Sequence, residues 1–414
     1  MPDAYAFRTP SRDTSGQSPE GFPALPSSQA AGKPRTHHAL GRPDFDCIAL
    51  LLQGGGALGS YQGGVYQALS EADIHPDWIA GISIGAINSA LIAGNPREHR
   101  VDRLREFWEM VTASPLTLGS LPPALIRGDF AHSIVNQIAA FGALVGGAPQ
   151  FFTPRVPPPY LQPPGSIEAT SFYETAPLRA TLERLVDFDR INAGEMRLSV
   201  GAVNIRSGNF AYFDNTRDAI TPLHIMASGA LPPGFPAVEI EGEQYWDGGL
   251  VSNTPLQWVL DRFPRRDTLA FQIDLWNAQG AVPGDLTASS VRQKEIQFSS
   301  RTRAATNEFR ETQTIRRAAF KFLQQVPDTL RDTPEYRLLA AQADEAVYNI
   351  VHLIYRARAY EGTSKDYEFS RRTMLEHWQS GYNDAVRTLR HPEVLHRPDN
   401  PEGLKTFDLS QDEG

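Results

Sequence analysis

Cys47-Ile48-Ala49-Leu50-Leu51-Leu52 leads, past Gln53, into Gly54-Gly55-Gly56-Ala57-Leu58-Gly59; further on, Trp78-Ile79-Ala80-Gly81-Ile82 leads into Ser83-Ile84-Gly85. Both apolar runs are short, continuous and stopped by small residues. Such runs read as strands buried on both faces, the condition of a parallel sheet. Helical spacing follows each: Tyr61, Val65, Ala68 and Leu69 after the first, Ile84 to Ala93 after the second, which Gly94-Asn95-Pro96 stops. Strand, helix, strand, helix is the βαβ pattern. It predicts a three-layer α/β/α domain with a mainly parallel central sheet.

Outward from this unit, prolines crowd residues 114–171, at Pro122-Pro123, Pro157-Pro158-Pro159 and Pro163-Pro164, which predicts an insertion outside the core sheet. Pro177 opens a helix over 178–186. Residues 198–205 read as a strand that turns at Ser207-Gly208-Asn209 into Phe210-Ala211-Tyr212-Phe213. A helix over 222–228 is halted by Gly229 and Pro232-Pro233. A second hairpin, 237–240 and 244–246, stops at Asp247-Gly248-Gly249, and 269–275 is expected to be the last strand. Charged helical spacing fills 288–324, 333–360 and 365–388. The expected organisation is a disordered tail over 1–44, an α/β domain over 45–276, a helical C-terminal extension over 277–390 and a polar tail over 391–414.

Of 414 residues, 41% are apolar, enough for a sizeable core, and the formal net charge of -9 argues against nucleic acid as a partner. Cys47 is the single cysteine, so an intrachain disulfide or a cysteine metal cluster is excluded and a reducing, cytoplasmic setting is expected. The N-terminal residues show no apolar core of a signal peptide. No run reaches the ~18 apolar residues of a spanning helix; the longest, 134–145, is broken by Asn136, Gln137 and Gly142. Oligomeric state is not encoded in any recognisable pattern.

Three patterns bear on chemistry. Gly81-Ile82-Ser83-Ile84-Gly85 is a G-x-S-x-G between an apolar strand and an apolar helix. That spacing lets a serine occupy a sharp, strained turn, its oxygen clear of the sheet and over a helix N-terminus. Gly54-Gly55-Gly56 exposes backbone N–H groups with no side chains in the way, which an oxyanion site requires. Gly54, Gly56 and Gly59 also fit G-x-G-x-x-G, but the acidic residue a dinucleotide site expects after the next strand is missing; Asp77 precedes that strand. Asp247-Gly248-Gly249, followed by Asn253-Thr254-Pro255, is by itself a common turn.

Taken in order, glycine loop, G-x-S-x-G and D-G-G resemble the patatin-like phospholipase family over roughly residues 45–275. Gly54 precedes Ser83 by 29 residues and Asp247 follows it by 164; the block Ala227-Ser228-Gly229-Ala230-Leu231-Pro232 is also similar to the family's segment before its aspartate. The helical stretch after about 277 resembles an extension on a bacterial branch. The chain departs from the family at Leu58, where many members carry a basic residue. The resemblance implies that Ser83 is the nucleophile and Asp247 the general base. It implies that Gly54, Gly55 and Gly56 are oxyanion donors, with the N–H of Ile84 beside them, and that Gly59, Gly81, Gly85, Gly248 and Gly249 are motif positions. It further implies an acyl-ester substrate such as a phospholipid, and no metal or other cofactor. A carboxylate is a weak base near pKa 4, but desolvation beside a serine would raise it.

Other readings stay open on the sequence alone. A Ser-Asp-His triad would need a histidine after Asp247. His352 and His377 fall on expected helices, His396 lies in the tail, and His391, before a proline, is the plausible member. A non-catalytic or nucleotide-binding protein could reuse the glycine loop. The segment 134–152, with Ile134, Val135, Ile138, Phe141, Leu144, Val145, Phe151 and Phe152, is either a lipid-contacting lid and peripheral membrane surface or a plug of the core.

Overall fold

In the computed structural model, which describes residues 36–113, 140, 142–143, 145–262, 264–299, 302–357, 361–362 and 364–409, the apolar run Cys47–Leu52 is strand β1, buried along its length. Helix α1 (Ser60–Glu71) returns the chain to β2 (Trp78–Ile82), then come α2 (Ile84–Ala93) and α3 (Arg100–Val111). β3 (Thr153–Pro154) and β4 (Tyr173–Glu174) form a separate two-stranded sheet. The main sheet resumes with β5 (Arg197–Asn204), β6 (Phe210–Asp214), β7 (Val238–Ile240), β8 (Glu243–Asp247), β9 (Thr268–Asp274), β10 (Tyr348–Ile354) and β11 (Leu404–Phe407).

Its order is β11-β10-β9-β1-β2-β5-β8-β7, with β6 also on β5. Every pairing from β11 to β5 is parallel; β6, β7 and β8 pair antiparallel. Alternate residues of β1 face opposite cores, as a period of two demands. Ile48, Leu50 and Leu52 pack with α1, α2, α3 and the helix Arg371–Leu389. Cys47, Ala49 and Leu51 pack with the helices Leu256–Leu260 and Thr302–Leu323. The result is a three-layer α/β/α architecture with a largely parallel sheet, patatin-like in form.

The sequence reading needs correction at three places. The expected helix over 333–360 is the helix Pro334–Gln342 followed by β10. The apolar stripe Val347, Ile350, Ile354 fits a helical spacing, but Tyr348–Ile354 is a continuous β-rich run that pairs in parallel with β9 along all its residues. Residues 269–275 are therefore not the last strand. The expected C-terminal tail supplies β11, whose edge position needs only one well-buried apolar residue, Leu404. At the other end, 37–44 is not a tail: Ala39 and Gly41 donate backbone hydrogen bonds to Glu71 and Ala72, and His37 is buried. Residues 1–35 and 114–139 lie outside the described residues.

The C-terminal helix Arg371–Leu389 is seated on α1 almost backbone to backbone. A Cβ on Gly64 would stand 1.9 Å from the carbonyl oxygen of Trp378, and one on Gly381 would stand 2.0 Å from that of Tyr61. Polar ties flank this contact: Tyr61 Oη donates to Asp384 at 2.8 Å, and Trp378 Nε1 donates to Gln67 at 2.8 Å. Backbone cannot yield as a side-chain end can. Gly381→Ala is therefore expected to lower the unfolding free energy by about 1–3 kcal/mol, read as a lower urea midpoint at unchanged slope.

Candidate active site

Strand pairing explains how Ser83 and Asp247 meet. β6 occupies one edge of β5, pairing Ser199 through Val203. β2 must then lie on the other edge, where Ile82 pairs with Gly201. β8 pairs Ala202 with Asp247 and Asn204 with Tyr245, overlapping the residues β6 uses, so it too lies on the edge of β2. β2 runs parallel to β5 and β8 antiparallel. The two strands therefore point at each other, and their C-terminal ends abut at Gly201 and Ala202. A Cβ on Gly248 would stand 2.7 Å from the oxygen of Gly201 and 3.1 Å from Cγ2 of Ile82, which is why that position is bare.

Ser83 leaves β2 with φ 57° and ψ -125° and is the N-cap residue of α2. A side chain at positive φ is strained by order 1–3 kcal/mol and persists only where its surroundings hold it. Here its N–H donates to Ser228 Oγ at 3.0 Å, and that hydroxyl donates to the Gly201 carbonyl at 2.6 Å. Gly81 and Gly85 allow the turn: a Cβ on Gly81 would meet the Gly85 oxygen at 2.3 Å, and one on Gly85 the Leu52 oxygen at 2.2 Å.

The Ser83 hydroxyl lies close enough to the Asp247 carboxylate to draw its proton affinity down, and the carboxylate accepts from the Gly249 N–H at 2.7 Å. Asp247 is 2% exposed. Desolvation dominates, and it pushes the carboxyl up to about 6 against the opposing pull of the Ser83 hydroxyl and the Gly249 N–H. No cation is among the causes of that shift.

The glycine loop lies beside them. A Cβ on Gly54 would stand 2.9 Å from Cβ of Ser83. Gly54 itself is fully engaged: its N–H donates to Asn253 Oδ1 at 3.1 Å, while its carbonyl accepts from Asn253 Nδ2 and Trp276 Nε1, each at 3.0 Å. The expectation that Gly54 offers an oxyanion donor therefore fails on a long-range partner. Among the described residues, no acceptor takes the N–H groups of Gly55, Gly56 or Ile84. Gly59 packs closely under the Ile84 side chain and Trp108. Leu58, where the chain departs from the basic residue of many family members, is fully buried in the core.

Support residues that the sequence reading missed hold this loop in place. Gln53 Oε1 accepts the N–H groups of Leu275 and Trp276 at 2.7 and 3.0 Å, and its carbonyl accepts from Gln62 at 2.7 Å. Asn88 bridges Gln62, the Gly59 carbonyl and Trp108. From the C-terminal part, the Asp366 carbonyl accepts the Ala57 N–H at 2.8 Å, and its side chain pairs with Lys294. Only the block around Ser228 and the tripeptide Asn253-Thr254-Pro255 carried a signal in the sequence.

Three of the histidines after Asp247 have carboxylate neighbours of their own. His391 lies 3.1 Å from Glu393, His377 is buried 3.4 Å from Glu361, and His352, on β10 rather than a helix, faces Asp274 at 3.8 Å. Of the 134–152 segment, Ile134, Val135, Ile138, Phe141 and Leu144 lie outside the described residues. Phe151 and Phe152 are buried in an aromatic cluster with Tyr173, Phe235 and Phe369, so for these two the core reading holds; Val145 is exposed. Among the described residues, no helix is long and apolar enough to cross a membrane.

The fold and this serine turn define an α/β protein of hydrolase type. The chain belongs to the patatin-like phospholipase family: the family model described as patatin-like phospholipase matches residues 50–260, and a second, described as patatin phospholipase, matches 296–401. An uncharacterised NTE family protein of Mycobacterium tuberculosis is 31% identical over 123 residues, covering 25% of this chain and 21% of that protein, and one of Mycobacterium bovis matches equally. The lysophospholipase nte1 of Aspergillus terreus is 47% identical over 70 residues, 17% of this chain and 5% of that protein. The chain thus spans about a fifth of the length of the mycobacterial relatives and far less of the fungal one. The crystal structure of VipD from Legionella pneumophila aligns with 90% of this chain and 73% of its own at 15% identity, with a TM-score of 0.36.

A buried carboxyl raised above its unfolded value of 3.8 favours the protonated folded state. Its stability contribution is full below about pH 4 and lost as pH rises through about 6. Asp247→Asn, which does not titrate, is expected to be more stable than wild type at pH 7 by roughly 2–3 kcal/mol. Urea unfolding at pH 7 and at pH 4 checks this; the advantage disappears at the lower pH.

Proposed function

We propose that this chain is a serine lipid acyl hydrolase that works through a Ser83–Asp247 dyad. The observation that carries the reading is the meeting of the ends of β2 and β8, which sets Asp247 beside Ser83 at a site dry enough to raise the carboxyl to about 6. A carboxylate so raised is a competent base near neutrality, where an ordinary one is not. Ser83 Oγ attacks the ester carbonyl as its proton passes to Asp247. Negative charge develops on the former carbonyl oxygen, against the N–H groups of Gly55, Gly56 and Ile84. The tetrahedral species collapses, Asp247 returns the proton to the departing alkoxide, and an acyl-serine remains. Water then attacks with Asp247 again as base, releasing the fatty acid and restoring Ser83.

The substrate class proposed is the acyl ester of a phospholipid or lysophospholipid, the latter in line with the name of the fungal relative. Membership of a bacterial branch with this C-terminal arrangement, and a cytoplasmic, peripherally membrane-associated setting, belong to the same proposal. The apolar surface for such contact would be the insertion, where Val156, Tyr160, Leu161, Ile167 and Phe172 are exposed. Its inner end is tied beside the site, with Phe172 and Tyr173 donating to the carbonyls of Pro233 and Gly234. The domain bounds 45–276 and 277–390 are read as a reaction module and a bracing module that share one sheet.

Ser83→Ala and Asp247→Ala are each expected to abolish p-nitrophenyl ester turnover and, for Ser83→Ala, fluorophosphonate labelling, while His391→Ala leaves both intact. Loss of turnover in a folded His391→Ala protein would favour a triad. Since the base must be ionised, wild-type kcat/KM should rise with pH through about 6 and then level; product analysis over phospholipids, lysophospholipids and neutral glycerides reads the substrate class.

A further inference from the structure

The N-terminal arm approaches the body at the C-terminal turn of α1, a helix-length of ~18 Å from the glycine loop. Ala39 and Gly41 are hydrogen-bonded there to the carbonyls of Glu71 and Ala72. At the same place His37, His38 and Glu71 each bring one ligand atom within 4.8 Å of the others. Nε2 of His37 is 2.9 Å and Nδ1 of His38 is 3.9 Å from Oε2 of Glu71, and the two imidazoles lie 4.1 Å apart between ring centroids. His37 is buried, Glu71 half-buried and His38 exposed.

We propose that His37, His38 and Glu71 bind one Zn²⁺ ion that fastens the arm to α1. Zinc takes imidazole nitrogen and carboxylate oxygen at about 2.0–2.2 Å, which puts tetrahedral ligand atoms roughly 3.3 Å apart. The two separations to Glu71, 2.9 and 3.9 Å, lie on either side of that spacing, and all three ligand atoms are within 4.8 Å of one another, so side-chain rotations bring them to one ion. Two imidazoles select a borderline transition ion over Mg²⁺ or Ca²⁺, which prefer all-oxygen shells. Water would complete the fourth position. Metal replaces the proton held between His37 and Glu71, which leaves to solvent.

The surroundings suit such an ion. Gln67 Nε2 donates to Glu71 Oε1 at 2.9 Å, and Tyr382 Oη, from the C-terminal helix, donates to Oε2 at 2.8 Å. Both carboxylate oxygens are thus oriented by outer partners, as the ligands of metal sites commonly are. Gln67 is itself fixed by Trp378 Nε1 at 2.8 Å. A plain His37–Glu71 hydrogen bond explains two of the groups. It does not require the next residue to present a second imidazole nitrogen to the same carboxylate. The ion would join three pieces of chain: the arm, α1 and, through Tyr382, the helix Arg371–Leu389.

The test uses the full chain without an affinity tag, titrated calorimetrically with ZnCl₂ against a weak competing chelator. One equivalent should bind, and His38→Ala and Glu71→Gln should each weaken it at least about ten-fold. His75→Ala, at a separate surface His–Asp pair, should not. Exchange of the Ala39 and Gly41 amides should slow on adding zinc to wild type and not to His38→Ala. Absence of micromolar binding, equal affinity in His38→Ala and Glu71→Gln, loss of binding in His75→Ala, or binding that leaves those amides unprotected would each overturn the proposal. His38 is exposed, so its variant folds.

Discussion

β5 has one edge free once β6 is in place, and two strands share it. β2 takes the stretch up to Gly201 and β8 the stretch from Ala202, meeting end to end. This shared edge fixes where Ser83 and Asp247 stand more firmly than any loop could, because backbone ladder bonds set the register of both. The burial of Asp247 follows from it. A carboxylate at the junction of two abutting strands has sheet beneath and on both sides. Its high proton affinity is thus a property of the strand arrangement, and the stability it costs is the counterpart of the basicity it provides.

The same arrangement places demands on the neighbouring loop. Bare amides are useful only if they are held still, and Gly54 is the part of the loop that is held. Its peptide group is occupied on both sides by Asn253 and Trp276, whereas among the described residues the N–H groups of Gly55 and Gly56 meet no acceptor. Gln53 locks the strand end behind it to the chain after β9. These ties come from residues more than 190 positions away in the sequence.

That separation explains what could be read from the sequence. The βαβ opening, the serine turn and the glycine loop are local: an apolar run, its glycines and the helix after it lie within a few residues. Asp247 was legible only through family resemblance, since Asp-Gly-Gly is otherwise an ordinary turn. The engagement of Gly54 left no trace near Gly54. β10 was misread because a strand buried on both faces shows no alternation, and chance placed Val347, Ile350 and Ile354 at helical intervals. β11 and the arm around His37 are short, polar segments ordered by partners they meet only in the folded chain. Phe151 and Phe152 look like a lipid-facing pair until Phe235 and Phe369, from distant segments, close over them.

The bare-backbone seam between α1 and the helix Arg371–Leu389 bears on how the chain could be shortened. A minimal version ending soon after Leu275 would retain the glycine loop, the serine turn and Asp247-Gly248-Gly249. It would also strip the cover from a helix face carved to receive another main chain, and leave the outer rim of β9 as an unpaired ladder. Such a fragment should gather with its own kind instead of working alone. In this protein the serine turn and the cover over its supporting helix and sheet edge are separate lengths of one chain.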